Sequence, residues 1–464
     1  MTLKRKFVCF FIALFFIALL APVSFAAWYL WAGKEVFAGY GAKLLASGVF
    51  VAGRSAESVA ELELAPIPFL KYRIDSENKT ATAWTVPGHE KTAVFREGLG
   101  VAIAHDGDVD ALRQQARPGL NVNEMLNPDL PWPMGDGPSG KARPKGIDEA
   151  KLAAAVNSRF HAPEGILKRH CRAIVVVYDD EIVAEKYADG FNANQRFSAW
   201  SMTKSITHAL FGIAVRQGKL SIQDKVPFWQ DQKDGRADIT IDMLLRMSSG
   251  LGGTDMDFMP PTALTTMLFL EPGAGDYAST LTLLHPPDTV WAYASSGTNL
   301  LSLILRRTLG DADYYALPYQ ELFSKVGMRS ALIEADATGT FVGSSFMYAT
   351  ARDFARFGLL YLHDGVWQAE RILPEGWVDY ARTPTPTAGD AHYGAHWWLI
   401  SRSAREAAKQ EGWAVPEDTF FASGFEGQFI IVAPSRKLVI VQLNLDLKTT
   451  SPLPILRDVL AALP

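Results

Sequence analysis

Cysteine is almost absent from this chain, which excludes a fold held together by disulfide bonds. Among 464 residues only Cys9 and Cys171 occur, and Cys9 lies in an N-terminal apolar run. If that run is removed, Cys171 has no partner, so we interpret it as a small core residue. The chain also lacks a basic excess, since its net charge is −5. We therefore expect no nucleic-acid partner.

Several motifs that define other enzyme classes are also missing. No glycine-rich phosphate loop is present, and no G-x-S-x-G elbow occurs, which excludes the usual α/β-hydrolase nucleophile. His392 and His396 lie four residues apart, but without the glutamate of H-E-x-x-H they make a poor zinc site. We expect neither a metal ion nor an organic cofactor.

The N-terminus has the pattern of a secretory signal. Lys4, Arg5 and Lys6 precede an apolar run from Phe7 to Leu20, and small residues near position 26 offer a cleavage site. We assign residues 1–26 to a signal peptide. Because apolar character continues through Trp31, an uncleaved membrane anchor is the alternative. In both cases we expect the remainder to be exported, in the periplasm, secreted, or anchored to the inner membrane facing the periplasm.

The rest of the chain divides into two regions. Residues 27–146 form an N-terminal region that ends in a proline- and glycine-rich linker from Asn127 to Gly146. Within it, Lys43 to Arg54 is typical of a helix ending near Gly48, and Phe69 to Val86 of a hairpin. Residues 147–464 have the pattern of one compact domain. We find no chemistry in the N-terminal region.

The stretch from Phe197 to Val215 contains the strongest candidate for catalysis. Its apolar residues recur at helical spacing, and Ser201 and Lys204 stand three residues apart at its head. On a helix the lysine amine would hang beside the serine hydroxyl. A buried lysine with a lowered pKa can activate a serine. The alternative is a helix-start serine with an incidental lysine. Ser76 and Lys79 have the same spacing, but we interpret them as a solvated turn.

The sequence of the compact domain predicts strands at both of its ends and helices between them. Ala173 to Tyr187 forms one predicted hairpin, and Gln428 to Asn444 forms another near the end of the chain. The intervening sequence contains helical patterns, among them Ile239 to Leu251 and Ala349 to Leu362. This order predicts an α+β fold with one antiparallel sheet flanked by helices.

In their order and spacing, several elements from Ile174 to Leu445 resemble the serine β-lactamase-related superfamily. The resemblance is to its class C, penicillin-binding-protein-like branch, and most of all to the esterases and 6-aminohexanoate-dimer hydrolases. It implies a β-lactamase/transpeptidase-like fold with a helical subdomain, here carrying an N-terminal extension. The elements are S-M-T-K at Ser201, M-L-L-R-M-S-S-G-L, Y-A-S-S-G at Tyr293, T-A-R-D-F-A-R-F-G-L-L, I-L-P-E-G-W-V and A-S-G-F-E-G-Q-F.

The resemblance implies a role for each matching residue. Ser201 would be the acylated nucleophile, Lys204 its base, and Tyr293 a base or acid if the lysine ammonium lowers its pKa. An oxyanion hole would consist of the Ser201 and Phe425 backbone N–H groups. The substrate-binding positions that complete the set are Ser295, Ser423 and Gly424.

Two positions depart from the family's pattern and narrow the expected substrate. Ser295 stands where the family's Y-x-N element has asparagine, and Ala422 where K-T-G has lysine. Because that lysine is a cation near the substrate carboxylate, we expect an ester or an uncharged amide rather than a β-lactam or muropeptide. A DD-peptidase or β-lactamase is the alternative among enzymes. A binding or sensor module that is acylated with little turnover is the alternative from another class.

Four residues of the H-Y-G-A-H-W-W segment leave two interpretations open. They either line a pocket or pack at a strand edge. They are His392, His396, Trp397 and Trp398. His208, one turn beyond Lys204, is expected to be a core histidine.

Overall fold

The computed structural model describes residues 24–25, 28–105, 107–120, 127–160, 171–255, 261–446 and 451–464. The predicted signal segment therefore lies outside the described residues, apart from Ser24 and Phe25. No helix within the described ranges has the length and apolar character needed to cross a membrane.

The chain alternates short strands with helices. The strands are β1 (Lys71–Asp75), β2 (Thr80–Trp84), β3 (Lys91–Arg96), β4 (Gly100–Ile103), β5 (Cys171–Tyr178), β6 (Glu181–Tyr187), β7 (Phe197–Ser198), β8 (Leu332–Ile333), β9 (Met347–Ala349), β10 (Val366–Trp367), β11 (Glu370–Arg371), β12 (Trp398–Leu399), β13 (Phe420–Gly424), β14 (Gln428–Ala433) and β15 (Leu438–Asn444). The α-helices are α1 (residues 28–46), α2 (Ala56–Leu62), α3 (Val109–Gln114), α4 (Glu149–Asn157), α5 (Thr203–Arg216), α6 (Ile241–Leu245), α7 (Ala263–Phe269), α8 (Ala274–Thr280), α9 (Ser295–Leu317), α10 (Ser324–Val326), α11 (Ala351–Leu362), α12 (Trp377–Arg382), α13 (Arg402–Gln410) and α14 (Leu453–Leu460).

A six-stranded antiparallel sheet organises the larger part of the molecule. Its strand order is β12-β13-β14-β15-β5-β6, so strands from the end of the chain pair with strands from the start of the domain. The predicted α+β fold, with one antiparallel sheet between helices, is confirmed. Both predicted hairpins are present. The first turns at Asp179 and Asp180, whose φ angles of 52° and 66° are the left-handed values that tight hairpin turns use.

The sheet is buried on both faces, which explains its nearly continuous apolar sequence. Alternate residues of β5 point to opposite sides: Ala173 and Val175 join the core beneath α5, α9 and α11. Ile174 and Val176 join a second core with α4, α13 and α14. Cys171 lies buried in that second core, as predicted, and burial raises the pKa of its thiol to about 12.

The N-terminal region packs directly against this sheet-and-helix body. Residues 28–46 form one helix, which continues through a π-helical turn, Ser47–Val51. The prediction that the helix ends near Gly48 was therefore wrong, because buried contacts carry it one turn further. The predicted hairpin is confirmed as β1 and β2, and β3 and β4 extend it to a four-stranded antiparallel sheet.

A buried ion pair joins the N-terminal region to the compact domain. Lys43 of α1 donates to Glu334 at 2.6 Å and to the Val101 carbonyl at 2.7 Å. The Glu334 carboxylate also accepts from the Ser47 hydroxyl and from the Val101 N–H. Both charged side chains are almost completely buried. Because a buried carboxylate needs its cation, this pair ties α1 to the segment after β8.

The predicted linker is also fixed to the domain. Its chain is irregular, as its proline and glycine content indicates, but Arg356 of α11 donates to the carbonyls of Pro133 and Gly135. The same guanidinium pairs with Asp136 at 2.8 Å. Trp132 donates from its indole to the Asp180 carbonyl at 2.8 Å. These contacts hold residues 131–136 against α11 and the first hairpin of the domain.

Lys43→Met should destabilise the whole protein. The substitution leaves the Glu334 carboxylate buried without its cation, which costs about 3–5 kcal/mol in comparable buried pairs. Chemical unfolding should show the loss, and adding Glu334→Gln should recover part of it. The control is Lys225→Met, whose exposed pair with Asp238 should be worth less than about 1 kcal/mol. Equal effects of the two lysine variants would contradict a structural role for the buried pair.

Candidate active site

Ser201 lies in a tight turn between β7 and α5. The turn is a 3₁₀ helix, Trp200–Met202, so the α-helix that was predicted to have Ser201 at its head begins only at Thr203. Trp200 has a φ of 46°, a left-handed value that is strained for a bulky residue. Its ring contacts those of Tyr40, Phe346 and Phe425 at centroid distances of 6.3, 6.2 and 5.5 Å. Packing on three sides holds the strained turn that presents Ser201.

Lys204 extends from the first turn of α5 to Ser201. Its Nζ lies 3.0 Å from the Ser201 Oγ, so the predicted pairing of these two residues is confirmed geometrically. Helix α5 is buried on all sides over most of its length, which is typical of a helix that crosses a core. Lys204 is consequently 1% exposed, whereas Ser201 is half-buried and reachable.

Three oxygen atoms surround the Lys204 amine. Besides the Ser201 hydroxyl, they are the Ser295 Oγ at 2.9 Å and the Ser344 carbonyl at 3.1 Å. Burial lowers the pKa of Lys204 to about 8, and the nearby Asp255 carboxylate, 3.8 Å away, partly opposes that shift. The sequence predicted a lowered lysine pKa, and the structure supplies its cause.

Tyr293 forms one wall of the site. Lys204 Nζ lies 4.8 Å from the centroid of its ring, and the side chain also forms a hydrogen bond with Ser201. Burial and the Asp255 carboxylate raise the pKa of Tyr293 above its usual value, and the hydrogen bond with Ser201 only partly offsets them. The expectation that the lysine would lower this pKa was therefore wrong. Tyr293 stays a neutral phenol around neutral pH.

Asp255 is the main residue that the sequence analysis missed. One carboxylate oxygen accepts from the Ser295 N–H at 2.8 Å and the other from the Ser295 hydroxyl at 2.6 Å. Its backbone N–H donates to the Tyr293 carbonyl at 2.9 Å. No motif signalled this role, since Asp255 lies in a loop without periodic pattern. The one sequence feature that could have indicated it is that Asp255 closely follows the glycine-rich S-S-G-L-G-G segment.

Strand β13 runs beside the turn that carries Ser201. A Cβ atom on Gly424 would lie 2.3 Å from the Ala199 carbonyl oxygen, so only glycine allows this approach. Phe425 follows β13, and its side chain is 48% exposed. The predicted residues Ser423, Gly424 and Phe425 therefore lie next to the turn that carries Ser201, where the predicted oxyanion hole would need them.

Ala422 contributes no charge to this side of the site. It is 1% exposed and belongs to the main apolar core, opposite Ile430 on β14. The position that carries the lysine of K-T-G in the resembling family is thus occupied by a buried methyl group.

The histidines and tryptophans divide between site and core. Trp398 packs against Tyr293 at a centroid distance of 5.1 Å, and His392 packs against Trp291 at 4.6 Å, so these two border the site. His396 and Trp397 are buried, and His396 contacts the Leu245 carbonyl and Thr298. His208 is buried against Tyr361, which confirms it as a core histidine. Across the described ranges, no group of three or more His, Cys, Asp and Glu side chains could hold a metal ion.

Comparison with known proteins decides the family. The family model for β-lactamase matches residues 163–452, which is more than half of the chain. The chain belongs to the β-lactamase family. The match covers the site residues Ser201, Lys204, Asp255, Tyr293 and Phe425, so the family assignment and the site geometry concern the same part of the chain.

Relatives place this β-lactamase-family protein among hydrolases. The 6-aminohexanoate-dimer hydrolase of Paenarthrobacter ureafaciens is 25% identical over 320 residues, covering 62% of this chain and 76% of the relative. A putative 6-aminohexanoate-dimer hydrolase from Bacillus anthracis matches with a TM-score of 0.53 at 21% identity, over 69% of this chain and 80% of the other. A family VIII carboxylesterase matches with a TM-score of 0.53 at 13% identity, over 69% of this chain and 99% of the other. The protein is a serine hydrolase of the β-lactamase family, as the sequence resemblance indicated.

Gly424→Ala should impair this β-lactamase-family hydrolase without unfolding it. The added methyl group would push β13 away from Ala199 and so displace Phe425 relative to Ser201. A displacement of about 1 Å at such a site costs roughly a hundredfold in rate. Esterase kinetics and thermal unfolding would measure both effects. The control is Gly119→Ala, where a Cβ meets no neighbour within 4 Å. Unchanged kinetics in the Gly424 variant would contradict the proximity of β13.

Proposed function

We propose that the protein is an exported serine hydrolase that cleaves an ester or an uncharged amide through an acyl-enzyme on Ser201. The arrangement of acceptors around the Lys204 amine carries this proposal. Lys204 would serve as the base, Tyr293 as the acid, and the Ser201 and Phe425 N–H groups as the oxyanion hole.

The hydrogen-bond inventory at Lys204 supports its role as base. The Ser344 carbonyl can only accept a hydrogen bond, and the Ser295 hydroxyl already donates to Asp255, so both must accept from the lysine. A neutral amine has two N–H groups, and these two acceptors use both of them. Its lone pair is then directed at Ser201, 3.0 Å away, where it can take the hydroxyl proton.

The raised pKa of Tyr293 keeps its phenol protonated, which is the form that an acid needs. When Ser201 Oγ bonds to the substrate carbonyl carbon, its proton passes to Lys204. The bond to the leaving group then breaks, and the phenol of Tyr293 donates a proton to that group. Because its phenolate is strongly basic, Tyr293 would recover a proton from the lysine ammonium. Water then attacks the acyl-enzyme, with neutral Lys204 again as the base.

The chemistry of the surrounding wall supports an uncharged substrate. Ala422 replaces the cation that binds a carboxylate in the resembling enzymes, and the rings of Trp200, Tyr293, Trp398 and Phe425 lie around the nucleophile. The relatives' names bear on the bond that is cleaved and not on the charge of the substrate, since one is a 6-aminohexanoate-dimer hydrolase and another a carboxylesterase. An ester or a linear amide fits these observations better than a β-lactam or a muropeptide.

The basic residues and apolar run at the N-terminus support export. Lys4, Arg5 and Lys6 ahead of an apolar run would keep the N-terminus in the cytoplasm and send the remainder outward. A membrane anchor through the same run is the alternative. Mass spectrometry of the N-terminus from the native host, with cell fractionation, would distinguish cleavage from anchoring.

Turnover should depend on Ser201 and Lys204. With p-nitrophenyl acetate we expect sustained product release, and with a fluorophosphonate a mass increase on Ser201. Ser201→Ala should abolish both, and Lys204→Ala should lower acyl transfer by about 10³-fold or more because the base is lost. Ser76→Ala is the matched control, since Ser76 has the same spacing to a lysine but lies exposed in a turn. A single burst without turnover would favour the acylated sensor, and no Ser201-dependent reaction would overturn the proposal.

The rate should rise with pH through the pKa of Lys204. Only the neutral amine accepts the Ser201 proton, and its fraction grows as pH approaches about 8 from below. We therefore expect kcat/KM to increase about tenfold per pH unit on the acid side and to level off above about pH 8. A stopped-flow or steady-state pH series would measure this profile. A plateau already reached near pH 6 would contradict Lys204 as the base.

A further inference from the structure

We propose that Asp255 and Ser295 act as a positioning pair that controls both the charge and the direction of the Lys204 amine. Neither residue would itself take or give a proton in the reaction. In this arrangement the Ser295 hydroxyl lies between the carboxylate and the amine, and the inference rests on the proposed role of Lys204 as the base.

Asp255 binds the polypeptide segment that carries Tyr293 and Ser295 at three points. Its backbone N–H donates to the Tyr293 carbonyl, and its two carboxylate oxygens accept from the N–H and the hydroxyl of Ser295. The neighbouring Thr254 hydroxyl also donates to the Tyr293 carbonyl, at 3.1 Å. One loop thus fixes the position of Tyr293 and of the first residue of α9 together.

The Asp255 carboxylate sets the direction of the hydrogen bond between Ser295 and the Lys204 amine. A carboxylate can only accept, so the Ser295 proton must point to Asp255. The lone pairs of the Ser295 Oγ then face Lys204, which has to donate. This order leaves the position toward Ser201 for the amine's lone pair. With a neutral amide at position 255, the Ser295 hydroxyl could turn and donate to Lys204 instead. The lone pair of the amine would then be occupied and could not accept the Ser201 proton.

The Ser295 hydroxyl also keeps the two charges apart. The Asp255 carboxylate lies 3.8 Å from Lys204 Nζ, at the limit of an ion pair. The Ser295 Oγ lies between them, 2.6 Å from the carboxylate and 2.9 Å from the amine. Direct contact would stabilise the ammonium and suppress the base. Because the hydroxyl separates them, the carboxylate can orient the hydrogen bonds of the site without raising the pKa of Lys204 as much as direct contact would.

Other titratable groups near the amine stay uncharged around neutral pH. They are Tyr293 and Tyr393, whose pKa values burial raises, and His396, whose pKa burial lowers to about 3. Asp255 is thus the one anion that these contacts bring to Lys204 within the part of the chain that the structure describes.

The two single substitutions should shift the acid limb of the pH profile, which is the part where the rate rises with pH, in opposite directions. Asp255→Asn removes the anion, so the lysine should lose its proton more readily and the limb should move to lower pH by about one unit. Its plateau rate should fall about ten- to hundredfold, because the lone pair is no longer aimed at Ser201. Ser295→Ala removes the hydroxyl between the charges, so the limb should move to higher pH.

The test measures the rate constant of fluorophosphonate labelling at Ser201 in the full-length protein, from about pH 5 to about pH 10. Circular dichroism and thermal unfolding check that each variant is folded. Ser295→Thr keeps the hydroxyl and should restore the wild-type limb. If Asp255→Asn does not fold, the alanine and threonine variants of Ser295 carry the test.

The matched control is Asp288→Asn. The Asp288 carboxylate is exposed and accepts from the Ser248 hydroxyl at 2.9 Å, and its backbone φ of 59° is one that asparagine tolerates.

Opposite shifts with an unchanged Asp288→Asn profile would support the positioning pair. Limbs that stay in place, or that move in the same direction, would overturn it while leaving the proposed function intact, because wild-type labelling at Ser201 is measured in the same series. Wild-type protein that shows no labelling at Ser201 would overturn the proposed function and, with it, this inference.

Discussion

The burial of one lysine amine determines the character of this molecule's active site. Lys204 lies at the start of a helix that is enclosed by the core, and every neighbour within hydrogen-bonding distance of its amine is an oxygen. Desolvation makes the charged form costly, whereas the nearby Asp255 carboxylate stabilises it. The compromise is a lysine that changes its charge near pH 8 beside a serine, which is what an acyl-transfer base requires.

The sequence predicted the parts of this site that follow local rules. Ser201 and Lys204 were found by spacing, and Tyr293 and the β13 strand by resemblance to a family. The sheet was predicted because its strands are short, apolar and bounded by turn residues. Asp255 and the Ser344 carbonyl were not predicted. Both reach the site from loops without a periodic apolar pattern. A backbone carbonyl is common to all residue types, so the sequence does not indicate which one will contribute to a site.

The errors at helix ends have physical causes of the same kind. The helix that was predicted to have Ser201 at its head begins only at Thr203, because residues 197–198 pair with β9 and Trp200 takes a left-handed conformation. The first helix runs past Gly48 because buried contacts outweigh the cost of a glycine within it. In each case a tertiary contact overrides a local preference, and no single-segment pattern contains that contact. The expectation for the pKa of Tyr293 failed because it considered the lysine and not the burial or the unseen carboxylate.

Tyr40 has a consequence for how this protein relates to its family. The family match covers residues 163–452, yet the ring of Tyr40 stacks on Trp200, next to Ser201, and Lys43 pairs with Glu334 inside the matched part. The packed unit is therefore larger than the part of the chain that the family model matches. Recombination that exchanged only the shared region between relatives would leave α1 packed against a foreign turn. The N-terminal extension and the turn that carries Ser201 are expected to be inherited together, because their side chains pack against each other.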